Sequence, residues 1–120
     1  VTQDKTAKAM GSGTLDVFAP PAMIALMENT AYESVASELE PGSGTVGTAL
    51  NVRHVSASPV GMKIKCETEL TKVDGRALTF SVKAYDEAGL IGEGEHERFI
   101  IFEEKFQKKA DEKADKTGRA

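Results

Sequence analysis

The segment from Ala22 to Leu39 constrains the fold of this chain more than any other part of the sequence. Its first half, Ala22 to Met27, is apolar on almost every side of a helix, whereas a helix on a protein surface has a polar back. The preceding Pro20-Pro21 suits a first helical turn, where the missing N–H would have no partner anyway. We therefore predict one long helix whose first half is buried.

The residues that follow the helix predict an antiparallel sheet. Apolar and polar residues alternate over several segments that are bounded by turn residues, which is typical of strands with one face in water. The predicted strands are Thr45–Ser56, Met62–Val73, Arg76–Tyr85 and Leu90–Phe102, with a short strand at Leu15–Phe18 before the helix. A helix that is apolar all round needs a sheet curved about it. The pattern therefore predicts an α+β hot-dog fold, an antiparallel β-sheet wrapped around one long central α-helix.

Length and composition fit a single small domain. The chain has 120 residues, of which 40% are hydrophobic and 28% charged, as in ordinary globular proteins. We predict a flexible N-terminal lead-in at residues 1–13, the domain at residues 14–103 and a charged C-terminal tail at residues 104–120. A domain of this size is often stabilised by a partner subunit, so we expect a homodimer.

Charge, cysteine content and hydropathy exclude several classes of partner. A net charge of -4 argues against nucleic acid, because phosphate binding needs a basic patch. Cys66 is the single cysteine, so an intrachain disulfide is ruled out, a zinc cluster is not expected, and a reducing compartment such as the cytoplasm is favoured. No apolar run approaches the roughly 20 residues that span a bilayer, so we expect no membrane partner.

Two residues are the main candidates for chemistry. Glu28 directly follows the apolar half of the helix, and a carboxyl group enclosed there would be costly to ionise, which suits a general acid or base. Alternatively, Glu28 points to solvent where the helix leaves the sheet. His54 shares the predicted inner face of its strand with Val46, Leu50 and Val52. Its imidazole could take up a proton, donate to an oxyanion or pair with Glu28, or it is a core histidine with one hydrogen bond.

Several short strings resemble the fluoroacetyl-CoA thioesterase family of hot-dog proteins. They are Val17–Met23, Leu26–Glu28, Thr45–Thr48, His54–Pro59, Val73–Arg76 and Gly92–Arg98. The resemblance runs from about Val17 to Phe102. It implies an acyl-CoA thioesterase that acts on a small or short-chain acyl group, with CoA as part of the substrate and with no other cofactor and no metal.

The resemblance also assigns roles to individual residues. The catalytic set of the family is a Thr or Ser, a Glu and a His, and its Glu and His positions fall on Glu28 and His54. The hydroxyl position falls on Pro20, which has no hydroxyl group, so this member of the set is missing. A glycine and an arginine of the family fall on Gly47 and Arg98. The resemblance thus implies Glu28 and His54 as catalytic residues and the other three as substrate-binding residues.

The residues themselves leave other roles open. Gly47 marks a bulge or a close approach of the backbone to a ligand, or it serves helix packing. Arg98 could bind CoA phosphates or a substrate carboxylate as a fork, or it could pair on a partner strand with Glu93, Glu95 or Glu97. For His96 we favour such a structural pairing.

A mechanism follows from these assignments. Glu28 activates a water molecule, or attacks the thioester carbonyl directly to form an anhydride, while His54 and a backbone N–H stabilise the oxyanion. Two alternatives stay open at this point. One is a hot-dog protein that binds an acyl-CoA or another small ligand without turnover, and the other is an enzyme similar to enoyl-CoA hydratases.

Overall fold

Four antiparallel strands and one long helix account for most of the structure, a computed structural model that describes residues 1–118. The helices are α1 (Ala7–Met10), α2 (Pro20–Ala36) and α3 (Glu103–Lys116), and a 3₁₀ turn covers Gln3–Lys5. The strands are β1 (Ser43–His54), β2 (Lys65–Asp74), β3 (Ala77–Asp86) and β4 (Gly89–Phe102). Their order in the sheet is β1-β4-β3-β2, so β1 and β2 are its edges.

Helix α2 packs on the inner face of the sheet through one line of its own apolar residues. The helix begins at Pro20, and both prolines occupy its first turn, as predicted from the tolerance of that turn for proline. It ends at Ala36 rather than at the predicted Leu39. Its buried residues recur at helical spacing and are Ala22, Met23, Met27, Ala31 and Val35. Ala25 is exposed, so the sheet of one chain covers only one side of the helix. The prediction that the whole first half is buried was therefore wrong for a single chain.

Strand β3 supplies much of the core beneath this helix. Leu78, Phe80, Val82 and Ala84 are all buried, in agreement with the predicted alternation. Phe80 and Met27 are 0% exposed, and complete burial of a side chain of this size contributes about 1.5–3 kcal/mol. The apolar contact between α2 and β3 therefore holds the helix on the sheet.

Strand β1 contains a bulge that changes which residues face inward. Gly47 lies opposite Arg98 and Ala49 lies opposite Glu97, so Thr48 is an extra residue without a partner in β4. Gly47, which precedes the bulge, faces inward. After the bulge, the inward residues are Leu50, Val52 and His54, and each lies opposite an inner residue of β4. Val46 lies opposite the exposed Phe99. The prediction that Val46 shares a face with His54 was therefore wrong, because one extra residue reverses the alternation of a strand.

The N-terminal segment has more regular structure than the lead-in predicted for residues 1–13. The fully buried Thr6 caps α1, and its hydroxyl accepts a hydrogen bond from the N–H of Ala9 at 3.1 Å. The strand predicted at Leu15–Phe18 is not formed, since only single bridges occur there, one of them between Thr6 and Phe18. That prediction was wrong because the segment has no long neighbouring strand with which to pair.

The C-terminal tail predicted for residues 104–120 is largely a helix. Almost every residue of α3 is exposed, as expected for a solvated helix, and residues 119 and 120 lie outside the described part of the chain. The division of the chain at residues 13 and 103 stays a prediction. Within residues 1–118, no helix combines the length and the hydropathy that a membrane span requires.

Candidate active site

Glu28 stands on the side of α2 that faces the edge strand β1. Met27 is fully buried, whereas the Glu28 side chain is 46% exposed, because the next position on a helix turns away from the core. Glu28 and His96 line an open cavity of about 210 Å³ together with β1 residues from Gly47 to Leu50. The enclosure predicted for this carboxyl group is therefore incomplete in a single chain. The group lies at the rim of the sheet, where a ligand can reach it.

Gly47 allows the close approach between β1 and the carboxyl group. A Cβ atom at this position would lie 3.2 Å from Oε2 of Glu28 and 3.2 Å from Cε1 of His96. The bulge that the lone glycine suggested follows directly after Gly47, whereas an approach of the backbone to a ligand stays a prediction. The missing side chain leaves a small space beside the carboxylate.

Arg98 lies behind Glu28 as a buried cation. Its side chain is 7% exposed, and its Nη1 lies 3.7 Å from Oε2 of Glu28. Nε donates to Oγ1 of Thr45 at 2.7 Å, and Nη2 donates to the carbonyl oxygen of Thr45 at 2.8 Å. The guanidinium group also lies over the ring of Tyr32, 5.9 Å from its centroid. Arg98 thus pairs with Glu28 rather than with the glutamates of its own strand.

Burial and charge act in opposite directions on this arginine. Desolvation lowers the pKa of the Arg98 guanidinium, and the nearby Glu28 carboxylate acts to raise it. A guanidinium stays protonated at neutral pH despite such shifts. The site therefore holds a permanent positive charge beside the Glu28 carboxylate.

His54 lies at the far end of β1, beside the start of α2. It lines a second cavity, of about 270 Å³, together with Phe18 and Pro20, and the rings of Phe18 and His54 meet edge to face at a centroid distance of 6.2 Å. Nε2 of His54 is buried and has no hydrogen-bond partner among the described residues. Burial lowers the pKa of this imidazole, and a hydrogen bond with the Ser56 backbone acts in the opposite direction.

A single chain divides the five predicted site residues between two places. Glu28, Gly47 and Arg98 come together at the middle of α2, whereas His54 and Pro20 meet at its N-terminal end. Within residues 1–118, no hydrogen bond or ion pair joins Glu28 to His54. The pairing of these two side chains is therefore not made inside one copy.

The structure also adds residues that sequence reasoning did not assign to the site. Thr45 binds two nitrogens of Arg98, and His96 binds the third at 3.1 Å. The alternation of His96 and Arg98 on one strand was visible in the sequence. Their closeness to Gly47 was not, because it depends on the pairing between β1 and β4.

Comparison with known proteins identifies the family. Residues 1–104 match the family described as fluoroacetyl-CoA-specific thioesterase. The chain belongs to this family. A curated fluoroacetyl-CoA thioesterase from Streptantibioticus cattleyicolor is 43% identical over 98 residues, which cover 82% of this chain and 70% of that protein.

Solved structures agree with membership in the fluoroacetyl-CoA-specific thioesterase family. A mutant of a fluoroacetyl-CoA-specific thioesterase in complex with fluoroacetate and CoA superposes with a TM-score of 0.89 at 38% identity, covering 94% of this chain and 93% of that one. A hot-dog-like protein from Thermanaerovibrio acidaminovorans has the same fold, with a TM-score of 0.85 at 21% identity over 94% of this chain and 84% of the other. The predicted hot-dog fold and the predicted thioesterase function are confirmed.

Proposed function

We propose that this thioesterase hydrolyses a small acyl-CoA at a site completed by two copies of the chain. The observation that carries the proposal is the half-exposed Glu28 carboxylate, which faces the space left by Gly47 and has the buried Arg98 behind it. The relative that acts on fluoroacetyl-CoA and the related structure with fluoroacetate and CoA support a small acyl group. The cavity of about 210 Å³ beside Glu28 favours the same size class.

Glu28 acts as the base in this proposal. Its carboxylate takes a proton from water, and the resulting hydroxide adds to the thioester carbonyl carbon. The C–S bond then breaks, the carboxylic acid is released, and the CoA sulfur takes up the proton from Glu28. Direct attack by the carboxylate, with a mixed anhydride that water then hydrolyses, uses the same geometry. In both routes the positive charge of Arg98 attracts the Glu28 carboxylate and helps to hold it in place.

His54 and Pro20 form the other half of the proposed site. The unpartnered Nε2 of His54 can donate to or accept from a reacting group, and with a backbone N–H it stabilises the oxyanion. Pro20 lines the same cavity and offers an apolar wall to the substrate instead of the hydroxyl of the family. A thioester is already activated toward attack, so a base and oxyanion donors suffice.

A homodimer would bring the two halves of the site together. β1 is an edge of the sheet, and an unpaired edge is a template for a second strand. A two-fold axis pairs identical edges antiparallel, which places the His54 end of β1 in one copy beside the Gly47 half in the other. Glu28 of one copy then faces His54 of its partner, so each site uses both chains.

The remaining predictions about the environment stay proposals. We expect no cofactor besides the CoA carried by the substrate. No group of three or more His, Cys, Asp or Glu in the described range is arranged to hold a metal ion. A reducing compartment such as the cytoplasm is inferred from the lone Cys66, a free thiol.

Substitution of Glu28 tests the proposed chemistry. Glu28→Gln keeps the shape of the side chain and removes the base, so we expect kcat for a small acyl-CoA to fall at least about 100-fold. Release of free CoA thiol measures the rate, and Glu33→Gln on the exposed face of the same helix is the control. Hydrolysis by Glu28→Gln at the wild-type rate would refute the role of Glu28. Binding of acyl-CoA by the wild type without any thiol release would favour a binding module instead.

A further inference from the structure

His96 is a buried histidine whose two ring nitrogens both have fixed partners. The residue is 2% exposed, and its ring packs against that of Phe80 at a centroid distance of 6.4 Å. Nδ1 lies 2.8 Å from the carbonyl oxygen of Ala49. A carbonyl oxygen can only accept, so Nδ1 carries the proton and donates it. Ala49 belongs to the bulged part of β1, and the bulge thereby sets the tautomer of His96.

The other nitrogen of His96 holds Arg98. With the proton on Nδ1, Nε2 presents a lone pair, and Nη1 of Arg98 donates to it at 3.1 Å. Nη1 is also the atom that lies 3.7 Å from Oε2 of Glu28. Arg98 donates from its other two nitrogens to Thr45, and His96 accepts from the nitrogen that faces the carboxylate, so His96 sets the tilt of the planar guanidinium toward Glu28.

We propose that His96 is a positioning residue. It accepts a hydrogen bond from Arg98 and donates one to the carbonyl group of Ala49, and in this way it holds Arg98 beside Glu28. This inference deepens the proposed function and rests on the role of Glu28 in it. It goes beyond the structural pairing with glutamates that the sequence suggested for His96. The role requires a donor and an acceptor on opposite sides of a rigid ring, which is what the Nδ1–H tautomer provides.

Kinetics of paired variants test the proposal. His96→Phe keeps a ring of similar size and loses both hydrogen bonds, so we expect kcat to fall about tenfold or more and KM to change little, because the new ring keeps the shape of the cavity wall. His96→Gln, whose amide can donate and accept, is expected to restore most of the loss. Thr68→Val removes a hydrogen bond elsewhere in the sheet, at 3.1 Å to Ser81, and is expected to keep wild-type kinetics.

A double-variant cycle separates positioning from a general effect on folding. If His96 acts through Arg98, His96→Phe has little further effect on kcat in the background of Arg98→Lys. Equal losses in both backgrounds would overturn the proposal, as would wild-type kcat in His96→Phe or a His96→Gln variant as slow as His96→Phe. Thermal unfolding of every variant shows whether each is folded.

A spectroscopic measurement keeps the test independent of catalysis. In ¹⁵N-resolved NMR spectra of the wild type, we expect the Nδ1–H tautomer of His96 and a slowly exchanging Nη1–H signal from Arg98, because Nη1 is the nitrogen that His96 binds. His96→Phe is expected to lose the Arg98 signal, and His96→Gln to keep it. Retention of that signal in His96→Phe would refute the positioning role even if the protein hydrolysed no acyl-CoA. If His96→Phe loses the signal but the wild type hydrolyses no acyl-CoA, the positioning role stands and only the proposed function is refuted.

Discussion

At the scale of single residues, the proposed site combines charges that are buried to very different degrees. Arg98 is almost fully buried, whereas Glu28 is half-exposed. A buried cation needs hydrogen-bond acceptors around it, and Thr45 and His96 together accept one bond from each of the three nitrogens of Arg98. The burial of Arg98 is therefore supported from the side of the sheet, which leaves Glu28 free to face a substrate.

His54 makes stability depend on pH in a specific direction. Burial lowers the pKa of its imidazole below the ordinary value of 6.5, so the unfolded chain binds a proton at higher pH than the folded chain does. The free energy of unfolding therefore decreases as the pH falls below about 6.5. His54→Gln removes this contribution, and its stability should decline less steeply between about pH 6.5 and 5. Urea unfolding at several pH values measures both slopes, and parallel slopes would contradict the prediction.

The sequence suggested the individual candidate residues of the proposed site but not their contacts. Glu28 was noticed because a carboxylate follows an apolar helical run, and that signal is local. Its partner Arg98 was assigned no link to it, since the contact joins α2 to β4 and depends on how the helix crosses the sheet. Tertiary contacts of this kind follow from packing and strand register, which composition and periodicity do not specify.

At the scale of elements, alternation of apolar and polar residues predicted the four long strands well because turn residues bound each of them. The bulge in β1 escaped prediction, since Thr48 fits an extended strand as well as its neighbours do. One undetected extra residue was enough to place Val46 on the wrong face while His54 was placed correctly. The error affects β1 only, because in each later strand the choice of inward and outward residues depends on the residues of that strand.

The contact between β1 and β4 depends on a glycine in β4. A Cβ atom at Gly94 would overlap the carbonyl oxygen of Asn51 and lie 2.6 Å from Cα of Val52. Gly94→Ala therefore has to push the two strands apart, and we expect a loss of about 3 kcal/mol or more in the free energy of unfolding. Urea denaturation measures this loss, with Glu93→Ala at an exposed neighbouring position as the control. A change below about 0.5 kcal/mol, typical of surface substitutions, would show that the strands are not so closely paired.

At the scale of the whole molecule, the division of site residues between two cavities points to assembly. A chain of 12.8 kDa exposes the β1 edge, the Glu28 carboxylate and the cavity beside His54. All three lie along the same strand, so one symmetric contact can cover them together.

Mixing two inactive variants tests the shared site directly. Glu28→Gln and His54→Gln each damage both sites of their own dimer. If each site combines Glu28 of one copy with His54 of the other, a mixed dimer regains one intact site. After subunit exchange of equal amounts, we expect about a quarter of wild-type activity, because half of the dimers are mixed and each has one working site. No recovery in mixed dimers, verified by mass spectrometry, would place both residues of a site in one chain.

The extra residue in β1 also limits how this strand can diverge among related sequences. Thr48 separates a half-strand in which Gly47 faces inward from one in which His54 does. Deleting Thr48 would keep the extended backbone but turn one half over, since side chains alternate along a strand. Substitutions at the Gly47 end and at the His54 end of β1 can therefore change the two cavities independently. Insertion or deletion of one residue would instead turn one of these ends away from the inner face of the sheet.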